Sequence, residues 1–453
     1  MAYYILKSYK LKHKPLEIFE ALKNERNCFF LDSSLNAGHL GRYSFLGIDP
    51  FYILKAKNQD PLPGLRRVMD RYRVSLPKSP IPFLGGAVGY LAYDLGFTLE
   101  KKLKRKPKAA TRIPDAYFGF YNTAIIIDHF KGLLYIFSAG FPEKGYHLAK
   151  ALCEFNFKKI SKLLSKTASS GRVADIKAGR TELKSNFTRK SYILAVKRAK
   201  EYIRRGDIYQ VNLSQEFSAK TNLPAYQIYN RLRSLSPSSF GAYLDCRDFQ
   251  ILSSSPESFL RVQGDTVSTR PMKGTRPRSR VKLNDLRLKR ELLESAKDRA
   301  ELMMIVDLER NDLGRVCSYD SIGVSALRQL EEYSTVFQTT ATVRGSLHED
   351  KDRVDLIRAC FPGGSITGCP KIRAMEVIEE LEPSRRSVYT GSLGYLSFSG
   401  GMDMNVLIRT ILKERNRMYF SVGAGIVADS DPQSEYQETL VKAKAMIEAI
   451  NAL

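Results

Sequence analysis

The chain has 453 residues and a formal net charge of +24; 43 % of its residues are hydrophobic and 26 % are charged. A chain of this length and composition can bury one large core or two, as an ordinary soluble globular protein does. Its first residues lack the basic-then-apolar pattern of a signal peptide. No apolar run approaches the ~20 residues that a membrane span needs, so we expect a cytoplasmic protein.

The positive charge raises the alternative of a nucleic-acid-binding protein, and the cysteines raise that of a disulfide-bonded or zinc-binding protein. The basic run 101–108 resembles a nucleic-acid-binding arm, so a basic nucleic-acid-binding protein is one alternative for the chain. No nucleic-acid fold signature accompanies the run, which favours a solvated loop. The six cysteines form no Cys-x-x-Cys pair, which favours reduced, packed thiols over a disulfide framework or a zinc site.

Short β-rich runs fill the amino-terminal part of the chain. Residues 124–128 and 133–137 are apolar runs bounded by turn-forming residues, which predicts an α+β region rich in antiparallel pairs. We expect this region to span 1–155. The polar, basic stretch 156–187 shows little apolar periodicity and is predicted to be a linker or exposed loop, followed by a larger half at 188–453.

The larger half begins and ends with recognisable elements. An apolar period of helical type runs from Thr188 to a stop near Gly206. The apolar runs 387–398, 402–412 and 417–427 predict an antiparallel meander. A terminal helix follows, with Pro432 in its first turn.

Two pairs of carboxylates stand at helical spacing. Asp298 and Glu301 form one pair and Glu435 and Glu438 the other, and the i to i+3 spacing puts each pair on one helix face. Two such faces offer the oxygen-rich surroundings that Mg²⁺ prefers. Spacing alone favours the simpler alternative of surface ion pairs, in which lysines near each pair neutralise the carboxylates.

A glycine loop and a buried arginine are candidates for binding an anion. The segment 361–371 leads into a helix that Pro370 opens and Pro383 stops, and its backbone N–H groups suit a carboxylate, although such a loop is also compatible with a tight turn. Arg409 lies in a strongly apolar run and therefore needs a partner. That partner is either a structural acid or a substrate carboxylate, and the sequence leaves both open.

Lys273 stands among Arg270, Arg276, Arg278 and Arg280. So much positive charge would favour the neutral, nucleophilic form of its amine. The alternative is a plain basic loop, and composition does not exclude it.

Together these segments resemble the chorismate-utilising family that includes anthranilate synthase component I and aminodeoxychorismate synthase component I. The resemblance runs from about Asn186 to Ile450 and is weaker in the amino-terminal region. It rests on six ordered motifs: Gly-Asp-Ile-Tyr-Gln-Val-Asn-Leu at 206–213, Ser-Ser-Pro-Glu at 254–257, Met-Lys-Gly-Thr-Arg at 272–276, Ile-Val-Asp-Leu-Glu-Arg-Asn-Asp at 305–312, the loop at 361–371, and Gly-Ala-Gly-Ile-Val at 423–427.

The resemblance implies a fold and a set of site residues. The fold would be α+β of the anthranilate synthase component I type, with antiparallel sheets packed in a sandwich, helices outside and two interleaved subdomains; residues 188–453 would form the chorismate-binding catalytic domain. Glu257 matches the general acid that protonates the departing C4 hydroxyl, and its pKa should be raised in the complex. The resemblance assigns Mg²⁺ to Glu301 and Glu438 directly and to Asp298 and Glu435 through water, and it assigns substrate contacts to Thr275, Tyr389, Arg409, Gly425 and Lys442.

Within this family, Lys273 points to 4-amino-4-deoxychorismate, the precursor of 4-aminobenzoate and folate. In that branch a lysine at this position adds to C2 of chorismate before ammonia enters at C4. Gln210 stands where water-using relatives carry a lysine, and the histidine associated with pyruvate elimination is missing from 336–341. Anthranilate synthase component I, which serves tryptophan synthesis, is the near alternative.

The resemblance also implies partners. The chain shows no Gly-x-Cys-x-Gly nucleophile, so a separate glutamine amidotransferase subunit would supply ammonia. Some relatives hold tryptophan in the amino-terminal half. The corresponding positions here, which leave open a tryptophan pocket, are Ser33, Ser239, Phe240 and Gly241.

Overall fold

The computed structural model describes residues 3–35, 41–72, 80–108, 113–167, 181–333 and 336–451. The described strands are β1 Tyr4–Lys10, β2 Phe29–Asp32, β3 Tyr43–Gly47, β4 Tyr52–Ala56, β5 Gly86–Leu91, β6 Ala116–Tyr121, β7 Thr123–Asp128, β8 Leu133–Ala139, β9 Leu183–Ser185, β10 Gln210–Lys220, β11 Phe240–Asp245, β12 Phe249–Ser255, β13 Ser258–Gln263, β14 Thr266–Arg270, β15 Met272–Pro277, β16 Gly323–Glu332, β17 Val336–Ser346, β18 Gly368–Cys369, β19 Ser392–Ser397, β20 Met402–Val406, β21 Thr410–Glu414 and β22 Arg417–Ile426. The described helices are α1 Pro15–Glu20, α2 Leu62–Arg71, α3 Gly96–Leu99, α4 Tyr146–Ser165, α5 Arg189–Arg204, α6 Ala225–Leu235, α7 Lys282–Glu294, α8 Ala296–Gly314, α9 Arg353–Cys360, α10 Lys371–Leu381 and α11 Pro432–Asn451.

The strands form two antiparallel sheets. The first has the order β1-β8-β7-β3-β2-β11-β12-β21-β22-β10-β18, with β9 beside β10. The second has the order β15-β17-β14-β13-β20-β19-β5-β6-β4, with β16 beside β17. Strand β2 pairs with β11 and β5 pairs with β19, so both sheets mix strands from the two ends of the chain. The expected α+β fold with interleaved antiparallel sheets is therefore confirmed.

The core lies between the two sheets. Phe29 of the first sheet packs edge-on against Tyr121 of the second, with ring centroids 4.7 Å apart, and Phe45 packs against Tyr395 at 5.4 Å. Such aromatic pairs add about 0.5–1.5 kcal/mol each beyond the area that they bury. The same core cluster includes residues from both ends of the chain, so burial joins the two expected regions.

The predicted linker 156–187 is wrong at its amino-terminal end. Helix α4 continues to Ser165, because Ile160 is buried and Leu163 and Leu164 pack against a second core cluster. Near its other end the short strand β9 pairs with β10. Residues 168–180 lie outside the described part of the chain.

The predicted strand 402–412 is interrupted. Its first part is β20 in the second sheet and its last part is β21 in the first sheet. The crossing occurs at residues 407–409, where Leu407 exchanges backbone hydrogen bonds with Thr390 and Gly391 instead of a strand neighbour. Arg409 there adopts the left-handed φ of +49°, which is uncommon for a residue with a side chain.

Other predicted elements are confirmed. Thr188 caps α5, since its hydroxyl accepts a hydrogen bond from the backbone N–H of Ser191 at 3.1 Å. Helix α10 begins after Pro370 and α11 begins at Pro432. None of the helices in the described ranges is long and apolar enough to cross a membrane.

The basic run 101–108 is held against the body of the protein. Lys108 forms an ion pair with the buried Glu379 at 3.1 Å, and the backbone N–H of Lys106 donates to the same carboxylate. Arg105 donates to Asn58 and to a backbone carbonyl. These bonds fit a packed loop better than a free nucleic-acid-binding arm.

Candidate active site

Glu257 is a buried carboxyl that follows the end of β12. The backbone N–H of Val406 donates to its carbonyl oxygen at 3.1 Å, which fixes the residue between the two sheets. Its side chain accepts hydrogen bonds from the Ser365 hydroxyl and from the Met272 backbone N–H. Burial raises the pKa of Glu257, and these hydrogen bonds with the nearby Lys273 and Lys442 charges oppose the rise only in part.

Lys273 lies on β15 beside a bulge in the strand. The register with β17 shifts between Lys273 and Thr275, and the intervening Gly274 has a φ of +77° that a side chain would strain. The Lys273 Nζ lies 3.8 Å from a Glu301 carboxylate oxygen. A methyl group placed on Gly425 would come within 3.4 Å of the same Nζ, so the amine faces the glycine strand β22.

Three of the four arginines around Lys273 are paired with carboxylates, so their charge does not act on the lysine as the sequence suggests. Arg276 lies 3.3 Å from Asp298 and Arg278 lies 2.9 Å from Asp285. Arg270 forms an ion pair with Glu331. Each of these three positive charges is balanced by its own carboxylate. The Lys273 amine itself forms an ion pair with the Glu301 carboxylate.

The two predicted acidic faces meet across a lysine. Asp298 and Glu301 lie on α8, and Glu435 and Glu438 lie on α11. The Lys297 Nζ is 3.9 Å from Glu301 and 3.8 Å from Glu435, so it bridges the two helices.

Burial, neighbouring carboxyls and nearby lysines together shift the pKa values of these carboxyls. Burial and the carboxyls of Asp298 and Glu438 raise the pKa of Glu301, while Lys273 and Lys297 oppose the rise. Burial and the Glu438 charge likewise raise the pKa of Glu435. Burial would also raise the pKa of Glu438, but Lys442, which donates to it at 2.7 Å, and two further lysines lower it overall.

The donors at this site fit Mg²⁺ in kind. They are carboxylate oxygens, which hard divalent cations prefer, and their mutual repulsion would be relieved by a cation. No group of three or more metal-binding side chains converges in the described residues. Lys297 lies between the two helices, close to one carboxylate of each.

Arg409 lacks a carboxylate partner among the described residues. Its guanidinium donates to the Ser236 hydroxyl at 3.2 Å, and it forms no ion pair in the described part of the chain. Burial lowers its pKa, and the nearby Tyr333 opposes this only in part. Of the two alternatives for its partner, this arrangement favours a ligand carboxylate over a structural acid.

Of the remaining predicted substrate contacts, Gly425, Lys442 and Tyr389 lie on or beside β22, and Thr275 lies on β15. Gly425 pairs with Asn212 in the sheet. Lys442 donates to the carbonyl oxygen of Gly423 at 2.9 Å, and the Tyr389 hydroxyl would lie 2.9 Å from a methyl group on Gly423. Thr275 accepts a hydrogen bond from the Gln338 amide at 3.3 Å on the neighbouring strand.

The four residues of the predicted tryptophan pocket line one cavity of about 370 Å³. This volume lies within the usual range for small-molecule pockets. Ser33 donates to the carbonyl oxygen of Tyr43 at 2.8 Å. Asp403 also lines the cavity, and burial raises its pKa to about 6, with only Arg261 opposing.

Three residues near the site were missed or undervalued in the sequence. Ser365 lies in the glycine loop 361–371 but was not singled out as a partner of Glu257. Lys297 is one of the lysines that the sequence analysis assigns only to surface ion pairs, whereas it contacts carboxylates of both helices. Glu309 is buried, accepts a hydrogen bond from the Thr269 hydroxyl at 3.1 Å, and has a pKa raised by burial and by Glu257. In the sequence, only the position of Glu309 within the family motif 305–312 indicates that it belongs to the site.

Comparisons with known proteins agree with this geometry. Residues 26–448 match the family of chorismate binding enzymes. Anthranilate synthase component 1 of Thermus thermophilus is 37 % identical over 448 residues, covering 96 % of this chain and 95 % of the relative. Aminodeoxychorismate synthase component 1 of Bacillus subtilis is 36 % identical over 454 residues, covering 97 % of this chain and 95 % of the relative.

A solved structure of the same family is also similar to this chain. The crystal structure of anthranilate synthase component I from Streptococcus pneumoniae has a TM-score of 0.79 and 32 % identity, and the match covers 90 % of this chain and 92 % of that one. Relatives with two different products are almost equally similar, so identity alone does not decide between the products. The chain belongs to the chorismate binding enzymes, within the group of anthranilate synthase and aminodeoxychorismate synthase component I.

Proposed function

We propose that this enzyme is the aminodeoxychorismate synthase component I, which converts chorismate and ammonia to 4-amino-4-deoxychorismate and water. The observation that carries the proposal is Lys273. Its amine faces Gly425 and lies close enough to the buried Glu257 carboxyl to influence its pKa. An amine beside an acid whose pKa is raised suits addition at one ring carbon while the hydroxyl of another carbon is protonated and leaves as water.

In the proposed reaction, the Lys273 amine forms a bond to C2 of the chorismate ring. Glu257 gives its proton to the C4 hydroxyl, which leaves as water while the ring double bonds shift. Ammonia then forms a bond to C4, the bond between C2 and Lys273 breaks to release the free amine, and the proton lost from the new ammonium group restores Glu257. The enolpyruvyl ether is kept, in line with the missing histidine at 336–341.

The other residues of the site bind the substrate. Arg409, whose guanidinium has no described carboxylate partner, would hold the enolpyruvyl carboxylate with Tyr389 and the backbone of Gly425. Thr275 and Lys442 would lie at the ring end.

We propose Mg²⁺ as the cofactor, held by Glu301 and Glu438 directly and by Asp298 and Glu435 through water. The bound cation would supply positive charge for the ring carboxylate of chorismate. The position of the two carboxylate pairs on helices joined by Lys297 supports this; the raised pKa values of Glu301 and Glu435 are due mainly to burial and less to neighbouring carboxyls.

We also propose a glutamine amidotransferase subunit as the source of ammonia, and the product would serve 4-aminobenzoate and folate synthesis. Tryptophan is a proposed ligand of the 370 Å³ cavity, supported by the shared lining of Ser33, Ser239, Phe240 and Gly241. The chain contains no tryptophan residue, so indole fluorescence of the washed protein would reveal a retained ligand.

The product assay tests the proposal. With chorismate, Mg²⁺ and ammonium, we expect a product that aminodeoxychorismate lyase converts to 4-aminobenzoate. Direct accumulation of anthranilate would instead support anthranilate synthase, the second candidate, to which several relatives of similar identity belong. Lys273→Ala should abolish formation of 4-amino-4-deoxychorismate, and full activity of this variant would remove the covalent step.

A further inference from the structure

Arg386 is a buried arginine to which the proposed reaction assigns no role. The residue is 4 % exposed and lies shortly after the end of α10. Its guanidinium forms two hydrogen bonds with the Glu382 carboxylate, from Nε at 2.9 Å and from Nη2 at 2.7 Å. Burial alone would lower the pKa of Arg386, but the Glu382 carboxylate and nearby tyrosines raise it overall, so the group stays charged.

The other hydrogen bonds of Arg386 join three separate segments. Nη2 donates to the carbonyl oxygen of Asn212 on β10 at 2.6 Å. Nη1 donates to the carbonyl oxygen of Ile366 in the glycine loop 361–371 at 2.9 Å and to the Thr390 hydroxyl at 3.2 Å. With the two bonds to the carboxylate, these contacts occupy all the N–H donors of a guanidinium. One rigid group therefore fixes the loop and the turn to the strand.

Two of the joined segments carry residues of the proposed site. Ser365, the neighbour of Ile366 in the loop, donates a hydrogen bond to the Glu257 carboxyl. Tyr389 lies in the turn, and its ring centroid is 5.7 Å from the Arg386 guanidinium, close enough for a cation–π contact. The relative positions of the general acid and this tyrosine therefore depend on Arg386.

The turn that carries Tyr389 needs such support because its backbone is strained. Ser387 and Thr390 adopt left-handed φ values of +54° and +59°, which are uncommon for residues with side chains. The backbone N–H of Tyr93 donates to the carbonyl oxygen of Ser387 at 2.9 Å. The Tyr93 ring also lies 4.7 Å from the Arg386 guanidinium. The strained turn is thus held from more than one side.

We propose that Arg386 is a positioning residue for the reaction, which sets Glu257 and Tyr389 in place by joining the glycine loop and the turn to β10. It acts on Glu257 through Ser365 and on Tyr389 through the turn. A guanidinium suits this role because its donors point in fixed directions, whereas a lysine ammonium is a compact charge on a flexible stem. The proposal rests on the proposed role of Glu257 as general acid and is independent of which product is formed.

The first test is Arg386→Lys, which keeps a positive charge beside Glu382 but loses the planar group. We expect kcat/KM for chorismate to fall about 10²-fold, because a displacement of about 1 Å at a reacting group has an effect of this size. Consumption of chorismate with Mg²⁺ and ammonium provides the measurement. Unchanged kcat/KM in the folded variant would overturn the proposal.

The matched control is Arg353→Lys. Arg353 also donates from one nitrogen to two backbone carbonyls, of Ser397 at 2.8 Å and of Gly401 at 3.0 Å. These flank the hairpin between β19 and β20, and none of the proposed site residues lies in that hairpin. The control should leave kcat/KM unchanged. A loss of activity as large as in Arg386→Lys would contradict the proposal, since general destabilisation would then explain both.

A double-mutant cycle separates positioning from a purely structural role. Ser365→Ala should lower kcat/KM about fivefold in the wild-type protein and by the same factor in Arg353→Lys. In Arg386→Lys it should have little further effect, because the path from Arg386 to Glu257 through Ser365 is already broken. The same loss in all three backgrounds, or no loss in the wild-type protein, would rule out action through Ser365.

Thr390→Val decides the question if Arg386→Lys does not fold. The change removes one acceptor of Nη1 and leaves the pair with Glu382 intact. It should lower kcat/KM by roughly threefold to tenfold, and unchanged kcat/KM would refute the positioning role.

Failure of the proposed function is seen separately in the wild-type enzyme. Formation of anthranilate refutes the proposed product but leaves all these comparisons valid, because they follow the consumption of chorismate. A wild-type enzyme that does not consume chorismate refutes both proposals.

Discussion

Glu257 combines burial with two nearby lysines, and these act on its pKa in opposite directions. Burial is the larger effect, so the carboxyl keeps its proton to a higher pH than an exposed glutamate does. The hydrogen bonds from Ser365 and Met272 hold the group in place. A fixed carboxyl that retains its proton is suited to protonating a hydroxyl as it leaves.

This leads to a prediction at the scale of one residue. In the proposed mechanism the protonated form of Glu257 is the active one, so kcat/KM should fall as pH rises through the raised pKa of this carboxyl. Glu257→Gln should lower kcat by a factor of about 10²–10⁴ with little change in the KM for chorismate. The pH profile and steady-state kinetics measure both effects, and a variant that keeps most of the wild-type kcat would contradict the assignment.

Helices α8 and α11 present the acidic residues as facing pairs. The lysine between them, Lys297, interacts with a carboxylate of each helix. A divalent cation that binds Glu301 and Glu438 competes with this ammonium for the Glu301 carboxylate. We therefore expect Lys297 to weaken binding of the proposed metal by the free enzyme while it limits the repulsion between the helices.

The corresponding prediction concerns Lys297→Gln. Removing the ammonium should tighten Mg²⁺ binding to the substrate-free enzyme by roughly threefold to tenfold, as measured by titration calorimetry. The matched control is Lys444→Gln, since Lys444 forms a similar pair on α11, 3.8 Å from Glu448. An unchanged or weaker Mg²⁺ affinity in Lys297→Gln would show that this lysine does not compete with the metal.

At the scale of the whole molecule, the two ends of the chain share both sheets and one core. Residues 1–155 supply the strands next to β11 in the first sheet and next to β19 in the second. Aromatic residues such as Phe29 and Tyr121 fill the space between the sheets. The expected regions 1–155 and 188–453 are therefore bound together by strand pairing as well as by burial.

We accordingly predict that residues 188–453 alone do not fold cooperatively. The fragment would expose the edges of β11 and β19 together with part of the core, which favours aggregation over a stable fold. Circular dichroism melts of the fragment and of the full chain provide the measurement. A sharp unfolding transition of the isolated fragment, with chorismate binding retained, would contradict this view.

Local patterns in the sequence predicted several of the helices and some of the strands, and the ordered motifs supplied the proposed site residues. The helical spacing of Asp298 with Glu301 places both on one face whatever surrounds them, and Thr188 caps a helix through its own hydroxyl. The ordered motifs led to the family because their residue types are set by the chemistry of one substrate. Amphipathic periodicity failed at 156–165, where tertiary burial extends a helix through a polar, basic stretch.

Only the tertiary structure decided which carboxylates form ion pairs with the arginines near Lys273. Sequence proximity suggested that arginines surround Lys273, but carboxylates on α7, α8 and β16 neutralise three of them. It also decided that Gln210 is buried without a partner among the described residues while Gln215, five residues away on the same strand, is satisfied. Both results depend on contacts between segments far apart in the chain. Electrostatic and hydrogen-bond energies depend on distance in space, which local sequence patterns do not contain.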